Sequence, residues 1–431
     1  MMMTAGAGWV GRIVAAVAQI GAIRILTGLL GVDGYGAFAV ISGLLAWFML
    51  ADLGFGPALQ NYISGQRVAD KPVGTAIWTV CLVLLAAMVA LSLLWLAVAA
   101  WAGPALVGRY DTVGHREAVL AFFAFAVVAT GAGVSAVAMR VAFAEHRGYL
   151  AHAMTASASV LGVLGLLIFA PWFGENKLVW ALFCYFLPGW LIPMYFLARK
   201  LVKLWETGEI AGLGVNREVL SLLFPEARKF LILYALAALV NNVDFIILSQ
   251  TVSADEVAVY AVFSKIFVLA FTIVNSVIGA YWPVSAEMVH RRDLSGINRV
   301  ILVCFSIGAS AIFLMGAMLL VTRHYIADIL APSADLALPA TLIAFFVVYW
   351  IVRVWSDTFA MLVVSASKAH ILSFIAAPQA LMSVALGYWG AKSYGVSGLM
   401  VGMTCAFLLT TGWALPWYMH RFRQQLHQEA T

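Results

Sequence analysis

Long apolar runs recur along this 431-residue chain, and short polar breaks separate them. Crossing the roughly 30 Å hydrocarbon core of a bilayer takes about 20 helical residues. Runs of that order fall at 8–30, 35–56, 74–101, 118–139, 149–171, 178–198, 230–251, 257–283, 300–321, 338–362, 369–391 and 395–418. The expected fold is an all-α polytopic membrane protein with twelve transmembrane helices. Composition excludes a soluble chain: 64% of residues are hydrophobic, only 10% are charged, and mean hydropathy is +0.98. A soluble domain carries about 25% charged residues, and this chain could not cover its surface.

The opening MMMTAGAGWVGR has no basic leader and no clear small-residue cleavage site, so the first run reads as a retained span. Cys81, Cys184, Cys304 and Cys405 lie far apart in apolar segments, which argues against disulfide or zinc chemistry. No cofactor is implied.

A net charge of +5 could suggest nucleic acid, but the cations follow one set of loops. With an even span count both termini share a side. That side holds Arg67, Lys71, Arg140, Arg147, Arg199, Lys200, Lys203, Arg217, Arg228, Lys229, Arg291, Arg292, Arg299, Lys368, Arg421 and Arg423. The opposite side has Arg109, Arg116, Lys177, Arg323 and Lys392. The positive-inside rule then predicts cytoplasmic termini.

The longest connection divides the chain into a bundle over 1–198, a cytoplasmic linker over 199–229, a second bundle over 230–418 and a cytoplasmic tail over 419–431. Within and just beyond the linker, REVLSLLFPEARKF mixes apolar and charged residues, as a helix lying on the membrane surface would; a plain soluble linker fits as well. The halves repeat weakly. Tyr35-Gly-Ala-Phe38 precedes Pro57 much as Tyr260-Ala-Val-Phe263 precedes Pro283, and short acidic turns (Asp33; Asp255-Glu256) come before each. Two parallel six-helix bundles would enclose a central cavity, as in transporters built from repeats.

Charges at membrane depth are costly and mark pairs or pathways. They are Arg12, Arg24, Asp52, Asp244, Lys265, Arg353 and Asp357. Arg353 and Asp357 stand one helical turn apart and can neutralise each other. Matching depths along neighbouring spans pairs Arg12 with Asp52 and Asp244 with Lys265. Arg24 is left over, roughly 9 Å below the outer end of its span. It either binds an anion or extends to the outer headgroups. Asp244, with Asn241 and Asn242 beside it, and also Asp52 and Asp357, are candidates for ion coupling; structural ion pairs are the alternative. No histidine lies deep in a span. Trp47, Trp190, Trp282 and Trp350 could stack sugar rings, although tryptophan also collects at interfaces by default. The chain has no P-loop and no H-E-x-x-H, and its outer loops are short, so catalysis is not expected.

The run Leu30-Gly-Val-Asp-Gly-Tyr-Gly-Ala-Phe38, followed by Leu50-Ala-Asp-Leu-Gly-Phe-Gly-Pro-Ala-Leu-Gln-Asn-Tyr-Ile-Ser64, resembles the first hairpin of the Wzx-type O-antigen and polysaccharide flippases. These belong to the multidrug/oligosaccharidyl-lipid/polysaccharide exporter superfamily. The six-plus-six layout extends the resemblance over the whole chain. It implies transfer of an undecaprenyl-pyrophosphate-linked oligosaccharide across a bacterial inner membrane by alternating access. Arg24, with Arg12, Lys265 and Arg353, would contact the pyrophosphate or acidic sugars, and an acid such as Asp244 would serve ion antiport. Membrane lipid, a polysaccharide polymerase and a chain-length regulator are the implied partners. Lipid II flippases of the superfamily usually have fourteen spans. A cation-coupled multidrug antiporter is the runner-up. A membrane-embedded sugar polymerase is disfavoured by the short outer loops, and the major facilitator class by the loop Asn61-Tyr-Ile-Ser-Gly-Gln-Arg-Val-Ala-Asp-Lys-Pro72, which lacks that class's motif.

Overall fold

A computed structural model of the protein describes residues 2–68, 71–210, 212–330, 339–366 and 368–428, and among them it is helical with no strand. Among the described residues, ten helical stretches are long and apolar enough to cross a membrane. In lipid no water satisfies a free N–H or C=O, so a helix that bonds its own backbone is the economical answer to runs this apolar.

Two of the ten stretches contain a reversal. Helix α1 (Met2–Gly43) breaks at Gly31, whose φ of 74° and ψ of 177° suit only glycine. Gly11 packs on the His152 carbonyl at one end, whereas Asp33, just past the break, accepts the Thr112 N–H at 3.1 Å at the other. By Asp52 the chain is back beside Arg140, at the first end. Helix α14 (Ala369–Leu409) breaks at Tyr394 and Gly395. There Gly390 faces Gly398, and Gly402 faces Leu386: a Cβ on either Gly390 or Gly402 would lie 2.2 Å from the opposing carbonyl oxygen. Two antiparallel arms touch backbone to backbone because the contact carries no side chains.

Backbone contacts divide the chain into two compact units, Met1–Ala238 and Leu239–Thr431. In the first, α1 leads through α2 (Leu45–Phe48) and a 3-10 turn (Met49–Asp52) to α3 (Phe55–Val68) and α4 (Gly74–Val107). Helices α5 (His115–Ser135), α6 (Val137–Ala144), α7 (Gly148–Phe169) and α8 (Lys177–Glu206) follow, and α9 (Arg217–Asn242) closes the unit while running on past its boundary. The segment 217–230 is the first half of α9. Its Leu223 and Ala227 are buried in one core with Leu59, Ile63, Ile77 and Val80, so at least part of its apolar face is covered by protein.

The second unit holds the end of α9, then α10 (Asp244–Thr251), α11 (Ala254–His290), α12 (Leu294–Leu330), α13 (Ala340–Ser365), α14 and α15 (Thr411–Gln428). Helix α13 is its hub, packed on α11, α12, α14 and α15. Most of α13 is therefore covered by other helices, which is where a buried polar group can find a partner.

Candidate functional site

Three polar residues on α13, Tyr349, Arg353 and Asp357, follow one another at four-residue spacing and so share a face. Arg353 Nε donates to Asp357 Oδ2 at 3.5 Å, and its Nη1 donates to the Tyr349 hydroxyl at 3.4 Å. Three rings surround the guanidinium: Phe271 of α11 at 5.5 Å from the ring centre, Trp350 at 5.7 Å and Phe407 of α14 at 5.4 Å. Such contacts supply about 0.5–2 kcal/mol each to a cation with little water around it. The arginine side chain is 15% exposed and that of Asp357 30%. Both hydrogen bonds are long, and a guanidinium has five N–H donors. Among the described residues, most of those donors have no protein acceptor.

Asp244 sits where the helix breaks at Val243 and α10 begins. It is 6% exposed, accepts the Phe245 N–H at 2.9 Å, and accepts the Tyr260 hydroxyl of α11. Arg353 is the cation that acts on it. The Tyr260 ring in turn packs on Phe245 and on Phe346 of α13, at 5.4 and 5.5 Å between ring centres. One buried cluster thus joins Asp244, Tyr260, Tyr349, Arg353 and Asp357. Beside it the Trp350 indole N–H is buried with no hydrogen-bond partner among the described residues.

This corrects one expected pair. Depth along the spans matched Asp244 with Lys265, yet the hydroxyl on Asp244 is that of Tyr260. Lys265 follows Tyr260 by five residues, roughly 140° around α11, so the two cannot present the same face to Asp244. Depth fixes a position along the helix axis but not around it. The expected Arg353–Asp357 pair is present. Asn242 ends α9, half-buried, two residues before Asp244; the side chains of Asn241 and Arg12 lie outside the described residues.

In the first unit Asp52 is 7% exposed. Its Oδ1 accepts the Gly54 N–H at 2.8 Å and so holds the left-handed turn at Leu53 (φ 50°) and Gly54 (φ 74°). Among the described residues the cation acting on it is Arg140 of α6, which meets it across Gly56, so the expected Arg12–Asp52 pair is left untested. Arg24 on α1 is exposed, and its carbonyl accepts the Thr27 hydroxyl. Trp190 lies against Gly131, with its indole N–H buried and without a partner among the described residues, while Trp282 is 49% exposed.

Sequence reasoning passed over Tyr349 and Arg140. The four-residue stripe 349–353–357 was the signal available for the first. Arg140 gave none, because it reads as an ordinary loop cation.

The family model described as "Polysaccharide biosynthesis protein" matches residues 5–289. A "Putative O-antigen export protein" of Yersinia pseudotuberculosis is 28% identical over 418 residues, covering 96% of this chain and 94% of the relative. Among solved structures, an inward-facing multidrug resistance MATE family transporter of the MOP superfamily superposes with a TM-score of 0.76 at 15% identity, covering 97% of this chain and 96% of that one. The lipid II flippase MurJ in an inward closed conformation gives 0.72 at 12%, covering 97% and 88%. At these identities the structures establish a shared fold.

Proposed function

Since the chain belongs to the polysaccharide biosynthesis protein family, we propose that it is a flippase that carries a lipid-linked oligosaccharide across a membrane. The substrate class is that of an undecaprenyl-pyrophosphate-linked O-antigen or other surface-polysaccharide repeat unit, and the membrane is the bacterial inner membrane with both termini in the cytoplasm. Ten stretches among the described residues are long and apolar enough to cross, and twelve spans, the even number this orientation needs, would follow if the two arms of α1 and of α14 each crossed separately.

The observation that carries the reading is the Arg353 cluster. A permanent cation inside an apolar helix costs about 2.5–3.5 kcal/mol even on insertion scales, so it persists where it has partners or a use. Here the partners are few and long, and donors remain for an anion such as a pyrophosphate. Arg24, exposed on α1 with no ion pair among the described residues, is a second anion-binding candidate; Arg12 and Lys265 complete the cationic set. Asp244 and Asp357 are the candidate coupling carboxylates, and Asp52 a lesser one because its oxygens already serve a turn and Arg140. Alternating exposure of these groups to the two sides would move the headgroup while the lipid tail stays in the bilayer. A polymerase and a chain-length regulator would then receive the product.

Deleting the gene should remove surface polysaccharide and leave lipid-linked repeat units on the cytoplasmic face, and an Arg353→Ala copy should not restore export. Unchanged glycan with raised drug sensitivity would instead support the multidrug antiporter, which the shared fold also accommodates.

A further inference from the structure

A cavity of about 740 Å³ opens at one end of the first unit, between the α6–α7 junction and the last turns of α8. Helix α8 has 30 residues, about 45 Å of helix against a hydrocarbon core of about 30 Å, so its basic last turns reach the headgroup layer. Arg147, Arg199, Lys200 and Lys203 all line the cavity. Lys200 is taken up by an ion pair with Glu145. Arg199 is held by Tyr195, through its hydroxyl at 3.4 Å and its ring at 5.9 Å. Among the described residues Arg147, Arg199 and Lys203 form no ion pair, and Glu206 is the one further carboxylate in the lining, so the cavity keeps a positive excess. Its other wall is apolar. Leu150 and Met154 form part of it, and Phe196 and Val202, 39% and 57% exposed, carry it outward along the apolar side of α8.

We propose that this cavity binds an anionic glycerophospholipid, with the phosphate on Arg147, Arg199 and Lys203 and an acyl chain along Phe196 and Val202. Cations at headgroup level with an apolar wall beneath them match a lipid phosphodiester better than a free phosphate, which has nothing to lay against that wall. The site stands apart from the Arg353 cluster and does not depend on the transport reading.

The test places the full-length protein in phosphatidylcholine nanodiscs with and without phosphatidylglycerol, then counts retained lipid by native mass spectrometry. The wild type should retain phosphatidylglycerol over phosphatidylcholine. Arg147→Gln, Arg199→Gln and Lys203→Gln should each weaken retention roughly fivefold, as expected for about 1 kcal/mol per cation. A variant carrying Lys71→Gln, Arg217→Gln and Arg228→Gln together loses three charges from outside the cavity, more than any cavity variant, and should still retain the lipid. Equal losses in both sets would reduce the effect to diffuse surface attraction and overturn the site. So would retention by all three cavity variants, or displacement of phosphatidylglycerol by equimolar undecaprenyl pyrophosphate, which would give the cavity to the transported class. Thermal unfolding in phosphatidylcholine alone checks that each single variant folds.

Discussion

Each unit carries a Tyr-x-x-Phe pattern near the start of an apolar stretch, and the two patterns have different surroundings. Tyr35 and Phe38 are fully buried and stack with centres 6.4 Å apart, and Phe38 meets Tyr185 and Phe186 of α8 at about 6 Å. Tyr260 and Phe263 are also buried and pack on Phe346, but the Tyr260 hydroxyl lies on Asp244 and its neighbour α13 carries Arg353. The buried acid of the first unit, Asp52, holds a backbone turn; in the second, buried Asp244 and half-buried Asp357 flank an arginine. One repeat therefore shares its packing but not its charges. In the first unit geometry should be the fragile property, and in the second, charge.

The largest effect should come from Gly54→Ala. A Cβ there would lie 2.1 Å from the Ala227 carbonyl oxygen and 2.7 Å from the Leu231 nitrogen, on a residue with φ of 74°. Both obstacles are backbone, so nothing small can yield, and a loss above about 4 kcal/mol is expected. The measurement is the yield of folded, monodisperse protein; a normal yield would mean that α9 does not press on this turn.

Arg353→Ala should come next, at about 3–5 kcal/mol, because it leaves Asp357 in an apolar helix without its cation. Thermal unfolding in detergent reads that loss. Removing Tyr260's hydroxyl with Tyr260→Phe should cost about 1–3 kcal/mol by stripping a donor from buried Asp244. Asp52→Asn should cost under about 1 kcal/mol, since an amide oxygen can still accept the Gly54 N–H. If Asp52→Asn were as damaging as Arg353→Ala, the contrast between the units would fail.

Much of this was legible in the sequence, for reasons that also mark where legibility stops. Lipid forces long apolar runs into helices, so those runs could be read one by one; the break at Gly31 falls in the polar gap at 31–34, and that at Tyr394–Gly395 falls at the end of the gap at 392–394 and the first residue after it. Arg353 and Asp357 were legible as a pair because both lie on one turn of one helix. The partner of Asp244 was not, because it depends on how α10 and α11 rotate against each other, and hydropathy says nothing about rotation. The ring cage is harder still: Phe271, Trp350 and Phe407 come from three helices and read as ordinary core residues until those helices are packed.

The smallest effect on stability should come from Trp350→Phe, and it separates a structural cluster from a binding one. Among the described residues the Trp350 N–H is buried without a partner, so phenylalanine removes an unmet donor and breaks no hydrogen bond to them. A smaller aromatic ring takes the place of the indole, which lies 4.7 Å from Phe271 between centres, and can keep part of that contact and of the cage around Arg353. Unfolding should therefore stay within about 1 kcal/mol of wild type. Transport is a different matter. An indole donor three residues from a loosely held guanidinium can serve the same anion, and one lost hydrogen bond of about 1 kcal/mol lowers transport roughly fivefold. Unaltered transport with unaltered stability would mean that the cluster holds α11, α13 and α14 together and that substrate never reaches it.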